Sequence, residues 1–160
     1  MNNYTIKEKR ALLGDGLTVS EFLLAIENDI FSDEATFIIH TENYRGVLQA
    51  VYQSEGTNEI YLLGNNHNLF GDTLYEEREV SEILALISKK VFIHKNELTK
   101  KELISTLKNI KGNYNVYINT LGDVESGLIF PLTGVYRCTT DYCDTIHLDC
   151  SYSEYFFTMN

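Results

Sequence analysis

Two stretches of the chain repeat one order of apolar and polar positions. Leu17-Thr18-Val19-Ser20-Glu21-Phe22-Leu23-Leu24-Ala25-Ile26 aligns with Leu98-Thr99-Lys100-Lys101-Glu102-Leu103-Ile104-Ser105-Thr106-Leu107. Each opens with Thr-x-x-Glu, a capping box that satisfies the free amides at a helix start. Phe22, Leu23 and Ile26, matched by Leu103, Ile104 and Leu107, then recur at helical spacing, which predicts an amphipathic helix of about three turns in each stretch. Strand-like runs follow in the same order. Ala35–Thr41 matches Tyr114–Thr120, Gly46–Gln53 matches Phe130–Arg137, and Glu59–Leu63 matches Thr145–Asp149. Polar segments between them suit hairpin turns.

The fold expected is therefore α+β, with two tandem helix–three-strand units and antiparallel sheets. The first unit spans 1–64 and the second 98–160, including an aromatic tail. Residues 65–97 connect them. There Val80-Ser81-Glu82-Ile83-Leu84-Ala85 echoes Val19-Ser20-Glu21-Phe22-Leu23-Leu24, predicting a middle helix around 76–90, and Phe92-Ile93-His94 predicts a short strand. A single helix on three strands buries too little apolar surface to stand comfortably alone. Two units gain by joining sheets or by packing helix to helix. Pro131, the only proline, lacks an amide donor and belongs at a sheet edge or at the first position of its strand. Eleven Tyr and eight Phe suit sheet packing. Tyr155-Phe156-Phe157 suggests a last docked strand or a contact with a second subunit, so a homodimer is one expectation.

The chain has 160 residues, 44% hydrophobic and 22% charged, an ordinary globular balance. No apolar run reaches the ~18 residues of a membrane span. The start, Met1-Asn2-Asn3-Tyr4, lacks the basic-then-apolar order of a secretory leader. A cytoplasmic protein, free of any membrane, is the expectation. The formal charge is −10, which disfavours direct binding to nucleic acid. Acids dominate residues 1–80, with a balance of −9, whereas seven lysines give residues 89–111 a balance of +5. Glu27, Asp29, Asp33 and Glu34 cluster where the first helix ends; Glu76, Glu77 and Glu79 precede the middle helix. Both clusters are candidate protein-binding surfaces, and solvated helix faces are the plainer reading.

Cys138, Cys143, His147 and Cys150 form C-x4-C-x3-H-x2-C. Zinc knuckles place two thiolates on one tight turn with C-x2-C, which this spacing does not do. In an extended segment Cys143 and His147 share a face while Cys150 points to the other. Buried free thiols are expected rather than a metal or any other cofactor.

The second stretch resembles a common small bacteriophage accessory domain. The likeness rests on Leu98-Thr99-x-x-Glu102-Leu103-Ile104-x-x-Leu107, Asn115–Ile118, Ile129-Phe130-Pro131-Leu132-Thr133-Gly134-Val135-Tyr136 and Ile146-His147-Leu148. Those domains open on a Thr-capped "KEL" helix and continue through a "YPITGV"-like strand. The first stretch is similar more weakly, with Gly46-Val47-Leu48 replacing the proline-containing segment. The resemblance implies an origin in a phage or mobile element and carries over no catalytic residue.

No phosphate-binding glycine loop, nucleophile elbow or H-E-x-x-H metal motif occurs, and no nucleophile–base pair can be nominated. A non-enzymatic role follows. The first reading is a phage-type inhibitor, of anti-defence or anti-CRISPR kind, whose acidic surface occupies a basic nucleic-acid groove on a host protein. The second is a sponge for a nucleotide signal, with the Lys89–Lys111 segment, Arg45 or Arg137 meeting phosphate and Tyr52 or Tyr136 stacking on the base. The third is an immunity protein against a cognate toxin.

Overall fold

A computed structural model describes residues 16–27, 30–40, 45–53, 58–66, 76–87, 90–121, 128–137 and 145–150. It is α+β, as the alternation of periods predicts. Among the described residues there are three helices, α1 (Val19–Ile26), α2 (Glu77–Ile87) and α3 (Lys100–Lys108). The strands are β1 (Thr36–His40), β2 (Arg45–Gln53), β3 (Glu59–Asn66), β4 (Lys90–His94), β5 (Asn115–Leu121), β6 (Leu128–Pro131), β7 (Gly134–Arg137) and β8 (Thr145–Asp149).

Both capping boxes form. The Glu21 amide donates to Thr18 Oγ1 (3.2 Å) and the Thr18 amide to Glu21 Oε1 (2.9 Å). At α3 the Glu102 amide donates to Thr99 Oγ1 (3.3 Å) and the Thr99 amide to Glu102 Oε1 (3.1 Å). These bonds to the ionised form hold both glutamates below the usual carboxylate range; at Glu102 the Lys95 ammonium is the larger cause. The middle helix and the short strand that follows it are α2 and β4.

The expected tandem, purely antiparallel units are not what is seen. All eight strands join one mixed sheet, in the order β6-β5-β3-β2-β1-β8-β7, with β4 paired to β2 off this path. The β1–β2–β3 meander is antiparallel, and so are β5–β6 and β7–β8. The outer strands of the first stretch then pair in parallel with those of the second, β1 with β8 and β3 with β5. The reason is physical: the β1–β2–β3 meander leaves two unpaired edges, and the β5–β6 and β7–β8 pairs each cover one of them, satisfying those amides and carbonyls. The end strands β6 and β7 are separated in the chain only by Leu132 and Thr133, so the sheet curls until its edges meet there. Pro131 closes β6, at the end of the strand order and at the strand's last position.

The inward side chains make one core. Phe37 and Ile39 of β1, Leu48 and Val51 of β2, Ile60 and Leu62 of β3, Val116 and Ile118 of β5, and Ile146 and Leu148 of β8 are all fully buried. Phe22 and Ile26 of α1 and Leu103 and Leu107 of α3 pack into the same cluster. Strict alternation slips once in β2, where the pairing with β3 shifts register between Leu48 and Ala50. Leu48 and Val51 then face the core while Ala50 and Tyr52 face outward. Gln49 sits at the slip and is held on both ends: its Nε2 donates to the Asn96 carbonyl (2.9 Å), and Asn65 Nδ2 donates to its Oε1 (3.0 Å).

Candidate functional site

The outer surface of the curled sheet has two contrasting faces. On the first, Tyr52, Tyr61 and Tyr117 stand on neighbouring strands in register. Tyr52 stacks on Tyr61 with centroids 5.2 Å apart and planes at 14°, and Tyr61 meets Tyr117 at 6.0 Å. Helix α2 covers this row with Val80, Ile83 and Leu84, an i, i+3, i+4 stripe. The tyrosines are only 2–3% exposed. Asn119 Nδ2 donates to the Tyr52 hydroxyl (2.9 Å), satisfying its polar end.

The second face lies across β2, β1, β8 and β7. Here Val47, Ile38, His147 and Tyr136 form a cross-strand row, read from the pairs Val47–Ile38, Ile38–His147 and His147–Tyr136. The Tyr136 ring stacks on the His147 ring at 5.2 Å and 22°. His147 is buried at 8% exposure, whereas Tyr136 is 41% exposed; Ile38 and Val47 are half-buried. The next row outward reads Arg45, His40, Asp149 and Gly134 by register. Arg45 is exposed and Asp149 half-buried. Three strand spacings put Arg45 about 14 Å across the sheet from the β7 end. The arrangement suits apolar and stacking contact, with an anion and a cation at its rim. Among the described residues it presents no nucleophile with a base beside it.

Two of the four sequence-derived ligand candidates, Arg45 and Tyr136, stand on this face, three strands apart. The structure sends Tyr52 to the opposite face, under α2, where the ring is engaged by Tyr61 and closed to a base from solvent. Arg137 ends β7 opposite Ile146. The row of His147, Ile38 and Val47 depends on the parallel β1–β8 register, which leaves no local signal in the sequence.

The acidic clusters fall differently. Glu27 follows α1 and meets Lys108 of α3, Oε1 to Nζ, at 3.3 Å. Asp33 and Glu34 are exposed, but the Asp33 carbonyl accepts from the Lys101 amide (3.0 Å). Glu34 lines an open groove of about 550 Å³ with Lys95, Lys101 and Glu102. Folding therefore lays the lysine-rich α3 beside the first cluster and offsets part of its charge. Asp29 lies outside the described residues. Glu76 is exposed, and its amide donates to Glu79 Oε1 (3.1 Å) at the start of α2; Glu77 is the first residue of that helix. Arg78 and Glu82 approach at 4.0 Å on its solvent side.

Cys150 lies in the core with Ile146 and Leu148, on the opposite side of the sheet from His147. Burial, and then the neighbouring Asp149 charge, push its thiol up from 9.0 to about 12, so it is held as a neutral apolar group. Cys138, Cys143 and the tail Tyr155-Phe156-Phe157 lie outside the described residues. Among the described residues no group of three or more His, Cys, Asp or Glu comes together to hold a metal ion, and no helix is long and apolar enough to cross a membrane. Comparison with protein-family models, curated proteins and solved structures gives no match.

Proposed function

We propose that this protein acts without turnover, by binding and blocking a basic, nucleic-acid-binding partner protein in the cytoplasm of a host cell, as a phage-type accessory protein of anti-defence kind. The observation that carries this reading is how the cations are used. Lys95 pairs with Glu102, Lys108 with Glu27 and Arg78 with Glu82, while Lys100 is buried with its Nζ donating to the Phe31 carbonyl at 2.8 Å. Among the described residues these four cations are turned inward or matched, and the chain keeps a net charge of −10. A field of that sign steers basic surfaces toward it and turns nucleic acid away. The test is capture of purified nucleic-acid-binding proteins on the immobilised full chain, with single-stranded DNA as competitor. Capture that DNA competes away and that fails above ~0.5 M salt supports the reading. Retention that neither disturbs removes it.

We further read the two stretches as copies of one unit that exchange strand partners. Register supports this. Thr36–Thr145 opens the β1–β8 pairing and Asn115–Glu59 the β5–β3 pairing. Tyr52 faces Tyr61 as Tyr136 faces His147, and Ile38 faces Val47 as Tyr117 faces Pro131. The Leu17 amide donates to the Leu132 carbonyl (2.8 Å) as the Leu98 amide does to Leu48 (3.1 Å). Thr18 bridges to Asn115 as Thr99 bridges to Thr36.

A further inference from the structure

We propose that the open groove between the flank of α3, the end of β4 and Glu34 binds a small zwitterion, a free amino acid or a short peptide with both ends free, taking its ammonium at Glu34 and its carboxylate at Lys101. This goes beyond the binding reading above and does not depend on it. The groove measures about 550 Å³, within the range of small-molecule sites. Its four charges form two sets that are used differently. Lys95 and Glu102 are closed on each other, and Glu102 also caps α3 by accepting from the Thr99 amide and hydroxyl, both at 3.1 Å. Thr106 is engaged as well, its Oγ1 donating to the Glu102 carbonyl (2.9 Å). Glu34 and Lys101 make the other set. Both line the groove and both are exposed, and among the described residues neither takes part in an ion pair.

The backbone sets these two opposite charges beside each other. The Asp33 carbonyl accepts from the Lys101 amide (3.0 Å) and the Ala35 carbonyl from the Lys100 amide (2.7 Å). Glu34 is thus bracketed by two bonds to the first turn of α3, and its Cα position is fixed relative to that of Lys101. A third unengaged group, the Ser105 hydroxyl, lines the groove one helical turn beyond Lys101. It is placed to donate to the second oxygen of a carboxylate that Lys101 holds. Half-buried Ile93 of β4 adds an apolar spot for a side chain. The mixed lining decides the ligand class. A lone anion drawn to Lys101 is repelled by Glu34, and a lone cation drawn to Glu34 is repelled by Lys101, whereas a zwitterion pairs with both at once. Each pair is exposed and weak on its own, so the expected affinity is millimolar and needs both ends of the ligand.

The test titrates the full chain, labelled with nitrogen-15, with leucyl-leucine, with its N-acetyl form and with its C-terminal amide. The free dipeptide should shift the amides of Glu34, Ile93, Lys101 and Ser105 and approach saturation by ~20 mM. Blocking either end should weaken it about threefold. Two variants, each checked for an unchanged backbone spectrum, assign the ends. Glu34→Gln should weaken the free dipeptide about threefold while leaving the N-acetyl form as weak as before, and Lys101→Gln should do so with the amide. Lys111→Gln, at an exposed lysine that does not line the groove, should change nothing. Equal binding of free and blocked forms, indifference to both groove variants, or no saturable shift at these residues would overturn the proposal. Capture of a nucleic-acid-binding protein is a separate measurement that none of these outcomes moves.

Discussion

Gly16 packs closely against backbone of the second stretch, and replacing it tests how the two stretches are joined. A Cβ there would stand 2.3 Å from the Val116 carbonyl oxygen and 2.8 Å from the Leu132 amide nitrogen. Both contacts are with backbone, so no side-chain rotation relieves them. The junction holds three hydrogen bonds: Leu17 amide to Leu132 carbonyl at 2.8 Å, Val116 amide to Leu17 carbonyl at 2.8 Å, and Leu132 amide to Val116 carbonyl at 3.1 Å. A fourth runs from Asn115 Nδ2 to the Gly16 carbonyl at 2.9 Å. At about 1 kcal/mol net each, losing three of them makes Gly16→Ala destabilising by about 3 kcal/mol, before any loss of packing. For a chain of this size that lowers Tm by roughly 10 °C. Gly134→Ala is the control, since its Cβ would meet only the Asp149 Cβ at 3.7 Å. It should be neutral, or stabilising by about 0.5 kcal/mol through the unfolded chain. Urea melts of both variants decide the matter. A Gly16→Ala protein within about 1 kcal/mol of the parent, or a Gly134→Ala protein equally damaged, would refute the reasoning.

Thr18→Ala and Thr99→Ala should each cost about 1 kcal/mol in the same melts, and a cost near zero at either would deny that its capping box stabilises the helix. Cys150 gives a pH signature: above pH 9 the unfolded thiol ionises while the folded one keeps its proton up to about 12. Its contribution is complete below pH 9 and lost as pH rises toward 12, by about 1.4 kcal/mol per unit at the steepest. Stability of Cys150→Ala should therefore fall less steeply than that of the parent between pH 9 and 10, by about 1 kcal/mol; parallel slopes would contradict the buried, neutral thiol. The Glu27–Lys108 pair is half-exposed at both ends, so a double-mutant cycle should return no more than about 0.5 kcal/mol. A coupling above about 2 kcal/mol would mean that the α1–α3 contact depends on charge.

Local features of this chain were legible without the fold. Thr18 with Glu21 and Thr99 with Glu102 mark two helix starts because a capping box closes within four residues. Val80, Ile83 and Leu84 mark α2, and the short apolar run Phe37-Ile38-Ile39 marks β1, for the same reason: period and cap act between near neighbours. The pairing of Thr36 with Thr145, and of Glu59 with Asn115, joins residues far apart in the chain, and parallel partners need no hairpin turn that a sequence would advertise. The slip at Gln49 is equally silent, although it turns Tyr52 outward to meet α2. Matching two tyrosines by their place in the repeat pairs Tyr52 with Tyr136 and makes them look alike in use. Packing separates them, since Val80, Ile83 and Leu84 of α2 pack on the row that holds Tyr52. The charge segregation read along the chain was likewise partly undone, because α1 and α3 lie against each other and bring Lys108 to Glu27. Periodicity and capping are written in short segments; which edges meet, and which row lies under α2, is settled by closing a curled sheet on one core.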